Sequence, residues 1–301
     1  MTNLLKLSVI ILGMALYLMP VSQANALSCT PSSTQSDHNS VATSSHPIGY
    51  TNFCSIDAET IIVKVYEFGL CTGPSSPSDV SACSPLFVSS GGVDVDLTVG
   101  SSKSLIEEVT LAEGTYTNAY LKISDVISIK AIVEFADDRI SNPKAGLGAG
   151  TGKFCFTDGR SINDISTIVT CAENADGAEI TTEKMWIQAF DGTMGEIQDY
   201  ELTIAGVTIE TDLYTFDANG AFVAERNLAV GIYGDQTLPA PISVDANTSN
   251  VDLGILVKDG VSLGFTCENA VTAGDMAAPA DFDTCVNDFS FNGLRFVIAA
   301  E

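Results

Sequence analysis

The run Val93-Asp94-Val95-Asp96-Leu97-Thr98-Val99 alternates apolar and polar side chains without a break. Only an extended chain repeats every two residues, so this segment can bury one face as a strand and not as a helix. Ala119, Leu121 and Ile123 repeat the pattern, and so do Ala131, Val133 and Phe135. Ile61-Ile62-Val63-Lys64-Val65-Tyr66 is a β-branched burst of the kind a buried strand carries. Tight-turn residues punctuate the second half. Asp217-Ala218-Asn219-Gly220 separates residues 213–216 from 221–224, Asp259-Gly260 separates 251–258 from 261–265, and Asn292-Gly293 separates 289–291 from 294–298. Asp-Gly and Asn-Gly suit tight hairpin turns, so the last two are expected to close hairpins. Helical periodicity is scarce, with room for a turn within 275–284.

Many short strands joined by Gly, Asn and Asp turns predict an all-β fold, an antiparallel β-sandwich. Pro143, Gly146, Gly148, Gly150 and Gly152 make residues 142–152 the expected linker. It would divide an N-terminal sandwich domain over 53–141 from a C-terminal one over 153–301, with a single larger sandwich as the alternative.

Eight cysteines fall into neighbouring couples. The predicted disulfides are Cys29–Cys54, Cys71–Cys83, Cys155–Cys171 and Cys267–Cys285. Zinc would bring cysteines two to four residues apart, often with histidine. No C-x-x-C occurs, and the only histidines are His38 and His46. An oxidising compartment is implied. The N-terminus agrees with that: Lys6 precedes an apolar run over 7–19, Pro20 ends it, and Ala24-Asn25-Ala26 supplies a small-x-small cleavage pattern. Residues 1–26 therefore read as a signal peptide, too short in its apolar part to span a bilayer. Residues 27–52 follow as a Ser/Thr-rich flexible leader, tethered through Cys29. No transmembrane anchor is expected in the mature chain.

Removing residues 1–26 takes away Lys6 alone and leaves 12 Lys and Arg against 38 Asp and Glu, a formal charge of −26. Nucleic acid and anionic lipid bind through clustered Lys and Arg, so neither is an expected partner. With hydrophobic residues at 46%, the chain has apolar groups enough for a packed core despite its charge.

Residues 111–123 read LAEGTYTNAYLKI. Leu111, Gly114, Tyr116, Leu121 and Ile123 give this segment a form that resembles the strand entry of transthyretin-like (prealbumin-like) sandwich modules in exported proteins. It is similar as well to a G-x-Y segment of a bacterial secreted domain family of unknown function. The resemblance implies a β-sandwich, with Gly114 permitting a sharp entry and Tyr116 burying its ring while its hydroxyl meets the backbone. It implies no catalytic residues.

No constellation names a reaction. The GLGAGTGK run at 146–153 lacks the first glycine and the hydroxyl of a phosphate loop, with Leu147 and Phe154 in those places. Hydrolysis by a serine or cysteine needs an adjacent base, and both histidines sit in the leader. Trp186 within MWIQAF alternates as a core strand residue would. Calcium is the cation the Asx-rich loops could take, at Glu173 and Asp176 of ENADG, or at Asp281, Asp283 and Asp288 with Asn287.

Location, disulfides and strand content lead to an exported, non-enzymatic structural or adhesive protein in the periplasm, at the cell surface or outside it. Its expected partners are other protein subunits or surface glycans. As a filament subunit it would complete a neighbour's sheet with the leader or with the C-terminal FSFNGLRFVIAA. Two alternatives stand beside it: a carbohydrate or small-ligand binding module, and a carboxylate-based hydrolase.

Overall fold

The computed structural model describes residues 28–33, 53–97, 102–106, 111–141, 150–162, 169–187, 193–204, 207–245, 251–265, 285–286, 288–291 and 293–300. Within them run β1 (Phe53–Ile56), β2 (Thr60–Cys71), β3 (Cys83–Leu97), β4 (Ser102–Ile106), β5 (Gly114–Lys130) and β6 (Ile132–Ser141). Next come β7 (Thr151–Thr157), β8 (Ser161–Ile162), β9 (Val169–Ala172), β10 (Thr181–Lys184), β11 (Glu196–Ile204) and β12 (Val207–Phe216). Last are β13 (Gly231–Val244), β14 (Val251–Leu256), β15 (Val261–Gly264), β16 (Cys285–Val286), β17 (Asp288–Phe291) and β18 (Arg295–Ala300). The all-β expectation holds, and nearly all pairs are antiparallel; β8 with β10 and β6 with β16 are parallel.

The large sheet is built around β5. Along one edge of β5, β13 pairs with residues up to Ser124 and β10 pairs from Val126 onward; β2 runs along the other edge. Beyond β13 lie β12 and β11, and beyond β2 lies β3. Three smaller sheets stand beside it among the described residues, ordered β1-β15-β17, β18-β14-β4 and β16-β6-β7-β9. One face of the large sheet presents Ile61, Val63, Phe68, Leu121, Ile123 and Ile127 to a single core. Leu263, Phe289, Ile255, Phe296 and Phe135 of the smaller sheets fill its other side. Burying each such side chain stabilises the fold by about 1.5–3 kcal/mol relative to exposure.

This core corrects the expected domain division. Every one of these four sheets combines strands from before residue 142 with strands from after residue 150, as β1 with β15, β4 with β14, β5 with β13 and β6 with β7. Residues 53–141 and 153–301 are thus not separate sandwiches. The glycine-rich stretch joins two strands of one antiparallel pair, in which Ile140 faces Thr151. Glycine-rich composition marks a chain break of either kind, and only long-range pairing distinguishes them.

The hairpins at Asp259-Gly260 and Asn292-Gly293 are also corrected. β14 pairs with β18 and β15 pairs with β17, so neither stretch folds back on itself and the two run side by side, with Gly260 beside Gly293. Together they bend a two-stranded ribbon from one sheet into another, a corner of the kind sandwiches use. Asp259 takes a positive φ of 52° there. At 217–220 the expected tight turn is present: Asp217 Oδ1 accepts from the Asn219 and Ala221 amides, and Phe216 bridges to Phe222.

The expected leader is fixed at its start. Cys29 is bonded to Cys54, its amide donates to the Ser55 carbonyl at 2.9 Å, and the Ala136 amide donates to the Pro31 carbonyl at 2.7 Å. Buried Arg139 donates through Nη2 to the Ser33 carbonyl at 2.9 Å, its guanidinium 4.6 Å from the centre of the Phe135 ring. Residues 28–33 are therefore part of the folded body, which corrects flexibility for that stretch; 34–52, like residues 1–27 with the expected signal peptide, lie outside the described residues. The C-terminal segment is likewise engaged within its own chain, β17 pairing with β15 and β18 with β14.

Candidate functional site: a tyrosine and carboxylate face

Alternation in the sheet sends every second residue of β5 away from the core. While Ala119, Leu121 and Ile123 face inward, Asn118, Tyr120 and Lys122 share the opposite face. Register then brings Tyr233 opposite Lys122 and Asp235 opposite Tyr120 on β13, Glu67 opposite Lys122 on β2, and Tyr214 opposite Tyr233 on β12. Cys71, Tyr120, Tyr214, Phe216 and Tyr233 form a second apolar cluster, joined by half-buried Tyr66 and Cys83. All of these residues belong to the large sheet, and among the described residues no strand of another sheet enters the cluster.

Two glycines make room for the rings. A Cβ at Gly69 would lie 2.6 Å from Cε1 of Tyr120, and one at Gly231 would strike the Phe216 ring. The rings of Tyr120 and Tyr233 stack at 5.5 Å, and Phe216 reaches Tyr66 edge-on at 6.4 Å. Flat rings laid over backbone in this way cover the sheet with little bulk.

Part of the face is closed by the segment 72–82. Cys71 and Cys83 stand directly opposite each other on β2 and β3 and are disulfide-bonded, so this segment is a strap fastened at its base. From it Ser75 reaches down: its amide donates to Asp235 Oδ2 at 3.1 Å and its hydroxyl to the same oxygen at 2.5 Å. With that proton committed, the Tyr233 hydroxyl donates to Ser75 Oγ at 2.6 Å. Asn118 Nδ2 donates to Asp235 Oδ1 at 2.6 Å. Glu67 holds two neighbours, accepting from the Tyr120 hydroxyl at 2.7 Å and pairing with Lys122 Nζ at 2.9 Å. Lys122 Nζ also lies 5.8 Å from the centre of the Tyr233 ring.

Burial sets the acid–base character. It pushes the Asp235 carboxyl above its ordinary 3.8, against the pull of the Ser75 and Asn118 hydrogen bonds, and Asp212 adds to the rise. Burial also raises the phenols of Tyr120 and Tyr233, with Glu67 and Asp235 respectively adding to it. The Tyr214 phenol is pushed up to about 12, by burial first and then by Asp212, Glu196 and Asp235. All three phenols therefore remain protonated donors at neutral pH. The interlocked part of the face is a hydrogen-bonding scaffold, while its margin at Tyr66, Glu196, Asp212 and Phe222 is open to solvent.

The other residues singled out from the sequence fall elsewhere. Three expected disulfides are formed, Cys29–Cys54, Cys71–Cys83 and Cys155–Cys171, the last again between directly opposed strand residues. Cys285 is disulfide-bonded, and its expected partner Cys267 lies outside the described residues. Glu173 and Asp176 sit exposed in the turn after β9, where Asn174 Oδ1 accepts from the Asp176 amide at 3.2 Å. Asp281, Asp283 and Asn287 lie outside the described residues, and Asp288 begins β17. Among the described residues no three His, Cys, Asp or Glu side chains converge to hold a metal. Trp186 is half-buried beside Ile187, which enters the core. His38 and His46 lie outside the described residues. Tyr116 is buried, and its hydroxyl donates to the Ala112 carbonyl at 3.0 Å, as the strand-entry motif implies.

Ser75, Glu67, Asp212, Glu196 and Asp235 were not legible as a group. The polar partners of the β5 alternation were the available signal, because Asn118, Tyr120 and Lys122 are large for a merely wet face. Fold and site together define a disulfide-braced, all-β sandwich with one tyrosine-rich polar face. The chain matches no family model, no curated protein and no solved structure. No helix among the described residues is long and apolar enough to cross a membrane, which says nothing of crossing by strands.

Proposed function

We propose that this chain is an exported, non-enzymatic protein that acts as a structural or adhesive component at the cell surface or outside it. The observation that supports this reading most is the bracing. One disulfide fastens the segment around Cys29 to β1, and each of two others ties neighbouring strands within one sheet. Such crosslinks persist in oxidising compartments and restrict the unfolded chain. The surplus of acid serves solubility in the same setting. Assembly by strand addition would use the outer edge of β3, which among the described strands pairs with β2 alone and carries exposed Val88. Pro85 limits that edge, since it offers no N–H to an incoming strand.

Fractionation of the producing cells, followed by size exclusion and negative-stain microscopy of the purified protein, tests the proposal. Recovery from the surface or medium, with attachment to cells or assembled particles, is expected. A protein held in the cytosol with reduced thiols would contradict it. The second reading, a binding module for glycans or small ligands, draws on the exposed ring of Phe222 beside Tyr214. A glycan array separates the two readings.

A further inference from the structure

The tyrosine and carboxylate face has two halves that differ in one respect. In the first, Glu67 and the Tyr233 ring flank an ammonium, that of Lys122. In the second, exposed Phe222 packs on buried Tyr214, which stands opposite Glu196 of β11 and two residues after Asp212 on β12, and no ion pair among the described residues neutralises either carboxylate. Among the described residues Asp212 accepts the Asp199 amide, at 2.8 Å. Phe222 is 40% exposed and touches Tyr214 edge-on, with ring centres 6.5 Å apart. Both carboxylates are half-buried, and both bear on the Tyr214 hydroxyl together with Asp235.

An aromatic ring beside a carboxylate attracts a cation through the ring's negative face and through charge, and partial desolvation strengthens both. Lys122 shows what such a setting on this face accepts. We propose that the open half, at Phe222, Asp212 and Glu196 over buried Tyr214, binds Lys or Arg side chains of a partner polypeptide. This rests on the adhesive reading and names the chemistry of its partner. Charge complementarity selects a basic segment over a second copy of this chain, whose formal charge is −25.

The test uses the full exported protein and a synthetic peptide that alternates Lys or Arg with Gly and Ser. A second peptide carries Gln in place of the basic residues. Titration is made at about 0.15 M salt, where exposed charges more than roughly 8 Å apart are largely screened. Binding of the basic peptide alone is expected. Asp212→Asn with Glu196→Gln should weaken it about tenfold, and Phe222→Ala by about fivefold, as loss of charge-assisted and ring contacts implies. The control Glu173→Gln with Asp176→Asn removes the same charge from the exposed turn after β9 and should leave affinity within about twofold. Equal weakening by both pairs would mean diffuse charge attraction and overturn the site, as would binding of neither peptide. A protein that attaches to cells yet ignores the basic peptide would leave the adhesive reading standing and refute this partner alone.

Discussion

Ser75 and Asp235 lie 160 positions apart in the chain, yet the amide and the hydroxyl of Ser75 both donate to one oxygen of the Asp235 carboxylate. This contact fastens the strap over the tyrosine face. Asp235→Ala would leave the Ser75 and Asn118 donors buried without an acceptor, a loss expected to cost about 2–5 kcal/mol. Ser75→Ala removes one donor and isolates the Tyr233 hydroxyl, and should cost about 1–3 kcal/mol. Urea unfolding measures both. Hydrogen exchange should show the protection lost first in residues 72–82 and in the adjoining part of β13.

Asp235 also gives stability a pH dependence of definite sign. Its folded carboxyl is raised above 3.8, so its contribution is full in acid and is lost as pH rises through the folded value. The carboxyls of Asp79 and Asp217 are lowered by local hydrogen bonds, from Ser81 and from Ala221 and Asn219 respectively. In Asp158 the rise from burial is outweighed by Arg160 and Thr170. Contributions from these three are present above the ordinary carboxylate range and are lost as pH falls below it. Self-repulsion of the acidic chain weakens in the same direction as Asp235 protonates. Stability by urea unfolding should therefore rise from neutral pH toward the upper end of the carboxylate range and then fall. Asp235→Asn should flatten the rise and leave the acid limb in place.

Gly231 allows Phe216 to cross the sheet toward Tyr66. Gly231→Ala forces a methyl group against that ring and against the Ile123 carbonyl. Overpacking of this kind costs about 1–3 kcal/mol. The aromatic near-ultraviolet circular dichroism should change more than the far-ultraviolet signal, because rings move while strands persist. An unaltered melting temperature would show that the ring does not lie over Gly231.

What could be read from the residues was local. Alternation located β2, β3, β5 and β6, although Val93 on the outer strand β3 stays 47% exposed where the pattern suggested burial. Cysteine spacing gave the described disulfides, because closure between neighbouring strands is itself local. What was misread depended on distant partners. Nothing near Asp259-Gly260 indicates that β15 will pair with β1 and β17 and not fold back on β14. The glycines before β7 likewise do not reveal that β5 will pair with β13 across them. The site shares this cause: Ser75, Tyr120 and Asp235 come from three separate stretches, joined only by register and by the strap.

The shared core is the foundation of all these expectations, and equilibrium unfolding of the oxidised protein tests it most directly. Fluorescence of Trp186, the single tryptophan, and far-ultraviolet circular dichroism are followed together in urea. One co-operative transition, coincident by both signals, is expected of a sandwich whose sheets all join the two halves of the chain. Two separated transitions, with one half unfolding while the other keeps its strands, would contradict it.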